Sequence, residues 1–186
     1  MRMILMHGKN ADPSQKWYPW LAKEVKNLGL DFVAPALPHT EDPRADEWIA
    51  ELEKLNPDEN TILIGHSRGG VAILRYLEKL PKEKKVHKVI LVATNAGYSE
   101  KINKTENNKT FFSKEGYNFE KIKSHCDNFV VFHSVNDHIV PFQAGEENAK
   151  GLNAKFYKFE NARHFGTKAD GSMTNSFPEL LEELGK

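Results

Sequence analysis

The sequence predicts an α/β fold: a doubly wound parallel sheet of about six strands with helices on both faces. Three observations predict it. Short β-branched runs alternate with amphipathic stretches along the chain. Several runs are continuously apolar rather than alternating, as in strands covered on both faces. No linker or repeat divides the 186 residues, a length that suits one domain spanning 1–186.

The strand candidates are Met3–Met6, Asp31–Ala34, Thr61–Ile64, Lys88–Ala93, Phe129–His133 and Ala154–Phe159. Between the first two, Trp17, Trp20, Leu21, Val25 and Leu28 share a helical face, with Gly29 as the stop. Asp42-Pro43 opens a second helix carrying Trp48, Ile49, Leu52 and Leu55, with proline at its favoured first position. Val71–Leu80 continues the third strand as a helix. Ser176-Phe-Pro-Glu179 has capping-box spacing ahead of Leu180, Leu181 and Leu184. Residues Thr94–Asn128 break the rhythm, being polar and rich in Lys and Asn. They read either as a short lid over the carboxyl edge of the sheet or as a solvated loop with a helix near Phe119–Cys126.

Composition narrows the function classes. Lys and Arg total 26 and Asp and Glu total 26, so no net field favours nucleic acid or anionic lipid. No apolar stretch approaches the ~20 residues that span a bilayer, and the four apolar residues Met3–Met6 are too few to be expected to act as a secretory signal. Cys126 is the only cysteine, which excludes an internal disulfide and a Cys-based zinc site. A soluble, cytoplasmic protein without metal or cofactor is expected.

The most informative stretch is Thr61-Ile-Leu-Ile-Gly65-His66-Ser67-Arg68-Gly69-Gly70. It contains G-x-S-x-G between a buried strand and a helix, the context of a nucleophile elbow. Glycines are needed there because a sharp turn leaves no room for a Cβ against the crossing helix. The turn lifts the serine hydroxyl clear of the sheet at a helix N-terminus, where developing negative charge is favoured.

A serine hydroxyl needs a base to take its proton, and an acid to hold that base. In elbow architectures the chain order is Ser, then Asp or Glu, then His. Asp137 follows the fifth strand and His164 the sixth, both at the edge where ligands bind. Ser67 is therefore read as nucleophile, His164 as base and Asp137 as the orienting carboxylate. His138 is the main rival base, but it adjoins Asp137 awkwardly. His66 should point away from the hydroxyl and support packing. His125 and His133 read as structural, Asp127 lies at the wrong edge, and Asp170 is a weaker alternative acid. The oxyanion donors are expected to be the N–H of Arg68 and that of Lys9, or alternatively Asn10.

These residues resemble the α/β-hydrolase superfamily, and more closely the small family that contains retinoblastoma-binding protein nine and the bacterial protein YdeN. The resemblance rests on His7-Gly8, Trp17-Tyr-Pro-Trp20-Leu21, and Pro35-Ala-Leu-Pro38 with Asp42-Pro-Arg44 and Glu47-Trp48. Gly65-His-Ser-Arg-Gly69, Ser134–Pro141 and His164-Phe165 complete it. It implies a minimal, capless α/β-hydrolase fold and a serine hydrolase using the three positions argued above. Two departures stand out: Arg68, where a small or aliphatic residue is common, and Arg163, where glycine is common. The Leu-x-Cys-x-Glu pattern is absent, so the retinoblastoma partner is not implied.

The expected activity is cleavage of small esters, and secondarily amides, through an acyl-enzyme, closer to a carboxylesterase than to a peptidase. Acyl transfer and C–C hydrolysis share the same residues. A protein-interaction module on the same fold, with little catalysis, is the alternative. The substrate pocket is expected around Trp17, Trp48, Phe111, Phe112, Ile139 and Phe165. So short a chain predicts a shallow, open site for a small-molecule ester or acylated substrate.

Overall fold

A computed structural model describes residues 1–98, 105–167 and 171–185. Six strands form one sheet: β1 (Arg2–Met6), β2 (Asp31–Val33), β3 (Thr61–His66), β4 (Lys88–Val92), β5 (Phe129–Ser134) and β6 (Lys155–Phe159). All neighbours pair parallel, in the order β2-β1-β3-β4-β5-β6. The chain therefore winds outward in one direction from β1 to β2 and in the other from β3 onward. The switch lies between β1 and β3, and a crevice forms beyond their carboxyl ends.

Seven helices accompany the strands among the described residues, the last after β6: α1 (Tyr18–Asn27), α2 (Ala45–Lys54), α3 (Arg68–Lys79), α4 (Glu106–Lys109), α5 (Phe119–Lys123), α6 (Phe142–Leu152) and α7 (Pro178–Leu184). Alternate strand residues face opposite layers. Ile4, Met6, Leu63, Leu91 and Val131 pack with α2, α3, α5 and α6. Met3, Leu5, Ile64, Val92 and Phe132 pack with α1 and α7. Both sides of the central strands are thus dry, which is why their sequences are continuously apolar. The edge strands β2 and β6 are only half-buried and carry the polar residues Asp31, Lys155 and Lys158.

Three local expectations are corrected. The buried face of α1 is Tyr18, Leu21 and Val25; Trp20 lies at its margin, and Leu28, past the last turn, is 59% exposed. Helix α2 starts at Ala45 rather than at Pro43, because Arg44 is extended and the Asp42 carboxylate instead receives Thr105 Oγ1 and Asn107 Nδ2. No Ser176 capping box forms, since Phe177 stands at the N-cap of α7 without a side-chain cap. Helix α6 lacks an apolar periodicity, since its buried positions are largely small or polar: Ala144, Gly145, Asn148 and Ala149, with Leu152 the one large apolar residue among them.

Of the Thr94–Asn128 segment, the described part from residue 105 is held at several points. Arg75 donates to the carbonyls of Gly97, Phe111 and Gly116 at 2.8, 3.0 and 3.0 Å. Thr110 Oγ1 accepts the Ala45 N–H at 2.8 Å. Phe111 is fully buried against Trp48, ring centroids 5.6 Å apart. Among the described residues no helix is long and apolar enough to cross a membrane.

Candidate active site

Ser67 sits directly between β3 and α3, with φ 53° and ψ −120°. Such a backbone is costly for a residue with a side chain and persists only where the surroundings enforce it. The enforcement is visible. The Ser67 N–H donates to the Val92 carbonyl at 2.8 Å and its own carbonyl accepts the Gly70 N–H at 3.1 Å. A Cβ on Gly69 would run into the Met6 and His7 carbonyls, and one on Gly65 into the Gly70 backbone. The two glycines of the motif let α3 cross tightly over β1 and β3.

Asp137 and His164 come from the loops after β5 and β6, 27 residues apart, yet His164 Nδ1 donates to Asp137 Oδ2 at 2.8 Å. A carboxylate can only accept, so Nδ1 carries the proton and Nε2 keeps its lone pair. Asp137 Oδ1 accepts the N–H groups of Ile139 and Val140 at 2.8 and 3.0 Å. Its side chain is fully buried. Burial pushes the carboxyl's pKa up, but the His164 hydrogen bond, its charge and the two amides together hold it below the ordinary carboxylate value. Asp137 is thus a fixed anion behind the imidazole.

Ser67 and His164 line one cleft of about 440 Å³ at the carboxyl end of the sheet. The loop after β1 supplies Gly8, Lys9 and Asn10 to its wall. The Asn10 N–H is already donated to the Thr40 carbonyl at 2.9 Å. Among the described residues the N–H groups of Lys9 and Arg68 have no such partner, and Arg68 opens α3 with its amide at the helix N-terminus. Of the two candidates in the β1 loop, Asn10 thus has its amide engaged outside the cleft.

The expected aromatic lining is corrected. Phe112 and Ile139 do line the cleft. Trp17, Trp48, Phe111 and Phe165 do not: each is at most 2% exposed. They are core residues, because the layers flanking the sheet claim the largest apolar side chains first. Trp17 Nε1 donates to the Phe165 carbonyl at 3.0 Å, so this pair anchors the His164 loop from beneath. Most residues that line the cleft are instead polar, among them Lys16, Asn95, Asn108, His138 and Thr167.

Other candidates fall elsewhere. His138 is exposed on the cleft rim beside Asp137. Asp127 is exposed and pairs with Lys85 at the far end of β5. His125 is buried on the Lys84 carbonyl at 2.8 Å. His133 is bonded to the Val140 carbonyl at 3.2 Å. Asp170 lies outside the described residues.

The sequence assigns His66 a supporting role without its partners, and assigns no role to the other supports around the site. Tyr18 Oη donates to His66 Nδ1 at 2.6 Å, and His66 Nε2 donates to the His164 carbonyl at 2.9 Å. A carbonyl accepts only, which fixes this tautomer. His7 Nδ1 donates to the Gly8 carbonyl at 3.0 Å while its Nε2 accepts the Leu37 N–H at 3.2 Å. Asn136 Oδ1 accepts from Ser134 Oγ at 2.9 Å and the Arg163 N–H at 2.8 Å, clasping the loops that carry Asp137 and His164. Arg163 has φ 51°, a backbone that suits glycine best. Their sequence signals are that His7, Tyr18, His66 and Asn136 fall within the motifs that carry the resemblance, and that His66, Asn136 and Arg163 adjoin Ser67, Asp137 and His164. Among the described residues no cluster of three His, Cys, Asp or Glu side chains is arranged to hold a metal.

Comparison with known proteins agrees with this architecture. The serine hydrolase family model matches residues 3–184. Serine hydrolase RBBP9 of Rattus norvegicus is 34% identical over 152 residues, 80% of this chain and 77% of that protein. The putative hydrolase YdeN of Bacillus subtilis is 30% identical over 166 residues, 88% of this chain and 85% of its own. The crystal structure of the ydeN gene product superposes with a TM-score of 0.86 at 28% identity, across 100% of this chain and 97% of that one. On an α/β-hydrolase sheet with a serine elbow at its switch point, a match of that extent makes this chain a member of the serine hydrolase family.

Proposed function

We propose that this serine hydrolase cleaves esters of small acyl groups through an acyl-enzyme on Ser67. One observation carries the reading: His164, oriented by its 2.8 Å bond to Asp137, shares a cleft with the serine of a strained strand-to-helix turn. His164 Nε2 takes the Ser67 proton as Oγ attacks the ester carbonyl. The oxyanion forms against the amides of Arg68 and Lys9. His164 then gives the proton to the departing alkoxide, and a water deprotonated by the same nitrogen releases the acid. Asp137 stays ionised throughout and stabilises the imidazolium. Every proton and charge in this scheme is handled by the chain itself. The modest, open cleft suits short acyl groups, with amides as secondary substrates. The single cysteine is a free, buried thiol, which fits a reducing cytoplasm.

The test is a panel of 4-nitrophenyl esters of increasing chain length, run beside labelling with a fluorophosphonate. Wild-type protein should take the label and turn over the short esters, and Ser67→Ala should do neither. Absence of both activities in the wild type would favour a binding module on a hydrolase scaffold.

A further inference from the structure

Among the described residues the cleft carries positive charge without a matching anion on its walls. Arg68, next in sequence to Ser67, turns its side chain into the cleft wall. Its guanidinium lies over the rings of Phe111 and Phe112, 5.0 and 4.7 Å from their centroids. Nη1 donates to Asn108 Oδ1 at 2.6 Å. Nε is buried with no hydrogen-bond partner, and Arg68 makes no ion pair among the described residues. Lys9 and Lys16 line the same cleft, again without an ion pair. No described carboxylate lines it. Asp137 is turned to His164 and backbone amides, and Asp12 faces Ser14 outside the cleft.

A half-buried cation without a counter-ion is unfavourable to keep unless something completes it. Burial lowers the Arg68 pKa to about 10, and burial lowers that of Lys16, with Asp12 offsetting only part. Both groups would therefore gain from an arriving anion. Arg68 is also pre-organised: two rings and an amide fix its plane, and the terminal N–H groups that Asn108 does not take remain for a carboxylate or phosphate.

Granting the hydrolase reading above, on which this rests, we infer that the substrate bears an anionic group, a carboxylate or phosphate, close to its scissile ester, and that Arg68 receives it. Arg68 is then a specificity residue in side chain as well as an oxyanion donor in backbone. Its positive charge selects anionic esters over neutral ones of equal size.

The test compares kcat/KM for two anionic esters and their neutral twins, each normalised to its alkaline hydrolysis rate. A 4-nitrophenyl hemiglutarate is set against the pentanoate, placing charge on the acyl side. A 3-carboxy-4-nitrophenyl acetate is set against 4-nitrophenyl acetate, placing it on the leaving group. At least one anionic ester should be preferred by about tenfold or more. That ratio should shrink as salt rises, collapse towards unity in Arg68→Met and be partly restored in Arg68→Lys. A ratio near unity or below in wild-type protein, with neutral esters still cleaved at Ser67, overturns the inference and leaves the hydrolase reading standing. A ratio unchanged in Arg68→Met overturns it too, as expected if the side chain only stacks on the rings. If no ester is cleaved, monomethyl glutarate should slow fluorophosphonate labelling of Ser67 more than methyl pentanoate does, and equal protection refutes the inference. Failure of Ser67 to label at all removes the hydrolase reading itself.

Discussion

Tyr18 Oη and His66 Nδ1 share a buried 2.6 Å hydrogen bond. Through the far side of the same ring, His66 holds the His164 carbonyl. Helix α1, the serine turn and the His164 loop are thus tied by one neutral imidazole. Removing the phenol hydroxyl leaves an acceptor buried without a donor, a cost of about 1–3 kcal/mol. Tyr18→Phe should therefore lower stability by that amount in urea unfolding, while keeping the fold. A change below about 0.5 kcal/mol would mean that the bond contributes nothing net.

Three histidines should set the response to acid. Burial lowers the pKa of His7, His66 and His133, in His66 most strongly, against smaller favourable contributions from backbone hydrogen bonds. The unfolded chain binds their protons below the ordinary histidine value of about 6.5, while the folded chain resists doing so. Stability therefore falls as pH drops below that value, by up to about 1.4 kcal/mol per pH unit for each histidine. Asp137, with its pKa lowered, adds its loss only further down, below the carboxylate range. Urea midpoints should decline steadily between pH 7 and pH 5. A flat profile there would contradict the buried neutral rings.

Asp137→Asn should fold, since the amide oxygen can still accept the Ile139 and Val140 N–H groups. Facing His164 with an NH₂ group, however, it favours the wrong tautomer, and loss of an orienting carboxylate costs about 10³–10⁴ in kcat. Ester turnover and the rate of fluorophosphonate labelling should fall together. A loss below tenfold would point to another acid.

Gly69→Ala should be among the most damaging single-methyl changes in the chain. The added carbon meets two backbone carbonyls at the end of β1, and neither can move without disturbing the sheet. A loss of about 3 kcal/mol or more, or insoluble expression, is expected. Near-native thermal stability would show that α3 can shift away from β1.

Cys126 is buried, and burial raises its thiol pKa to about 11. Folded protein should react with a thiol-disulfide reagent at pH 8 far more slowly than protein in urea. Equal rates would place the thiol at the surface.

The parts of this molecule that could be read in advance are those that short-range chemistry dictates. Continuous apolar runs such as Thr61–Ile64 and Phe129–His133 can only be strands covered on both sides, and they are. Gly65 and Gly69 announce a turn too tight for side chains, and both prove indispensable to it. The order of Ser67, Asp137 and His164 along the chain anticipates three loops meeting at one edge, and the last two come within hydrogen-bonding distance. What could not be read depends on competition for space. Trp17, Phe111 and Phe165 have the chemistry of a pocket lining, but core layers remove more apolar surface from water than an open cleft does. Helix α6 packs through small residues, which carry little periodic signal. The partners of His66 lie 48 and 98 residues away, beyond any local pattern.

The central claim is a covalent step at Ser67, and rapid acid quench of the enzyme during turnover of a 4-nitrophenyl ester tests it most directly. Peptide mapping of the quenched protein should find the acyl group on the peptide containing Ser67, formed in a burst with nitrophenol release and lost as hydrolysis completes. The adduct should be absent in Ser67→Ala. Steady turnover with no acyl adduct on that peptide, or undiminished turnover by Ser67→Ala, would contradict the account.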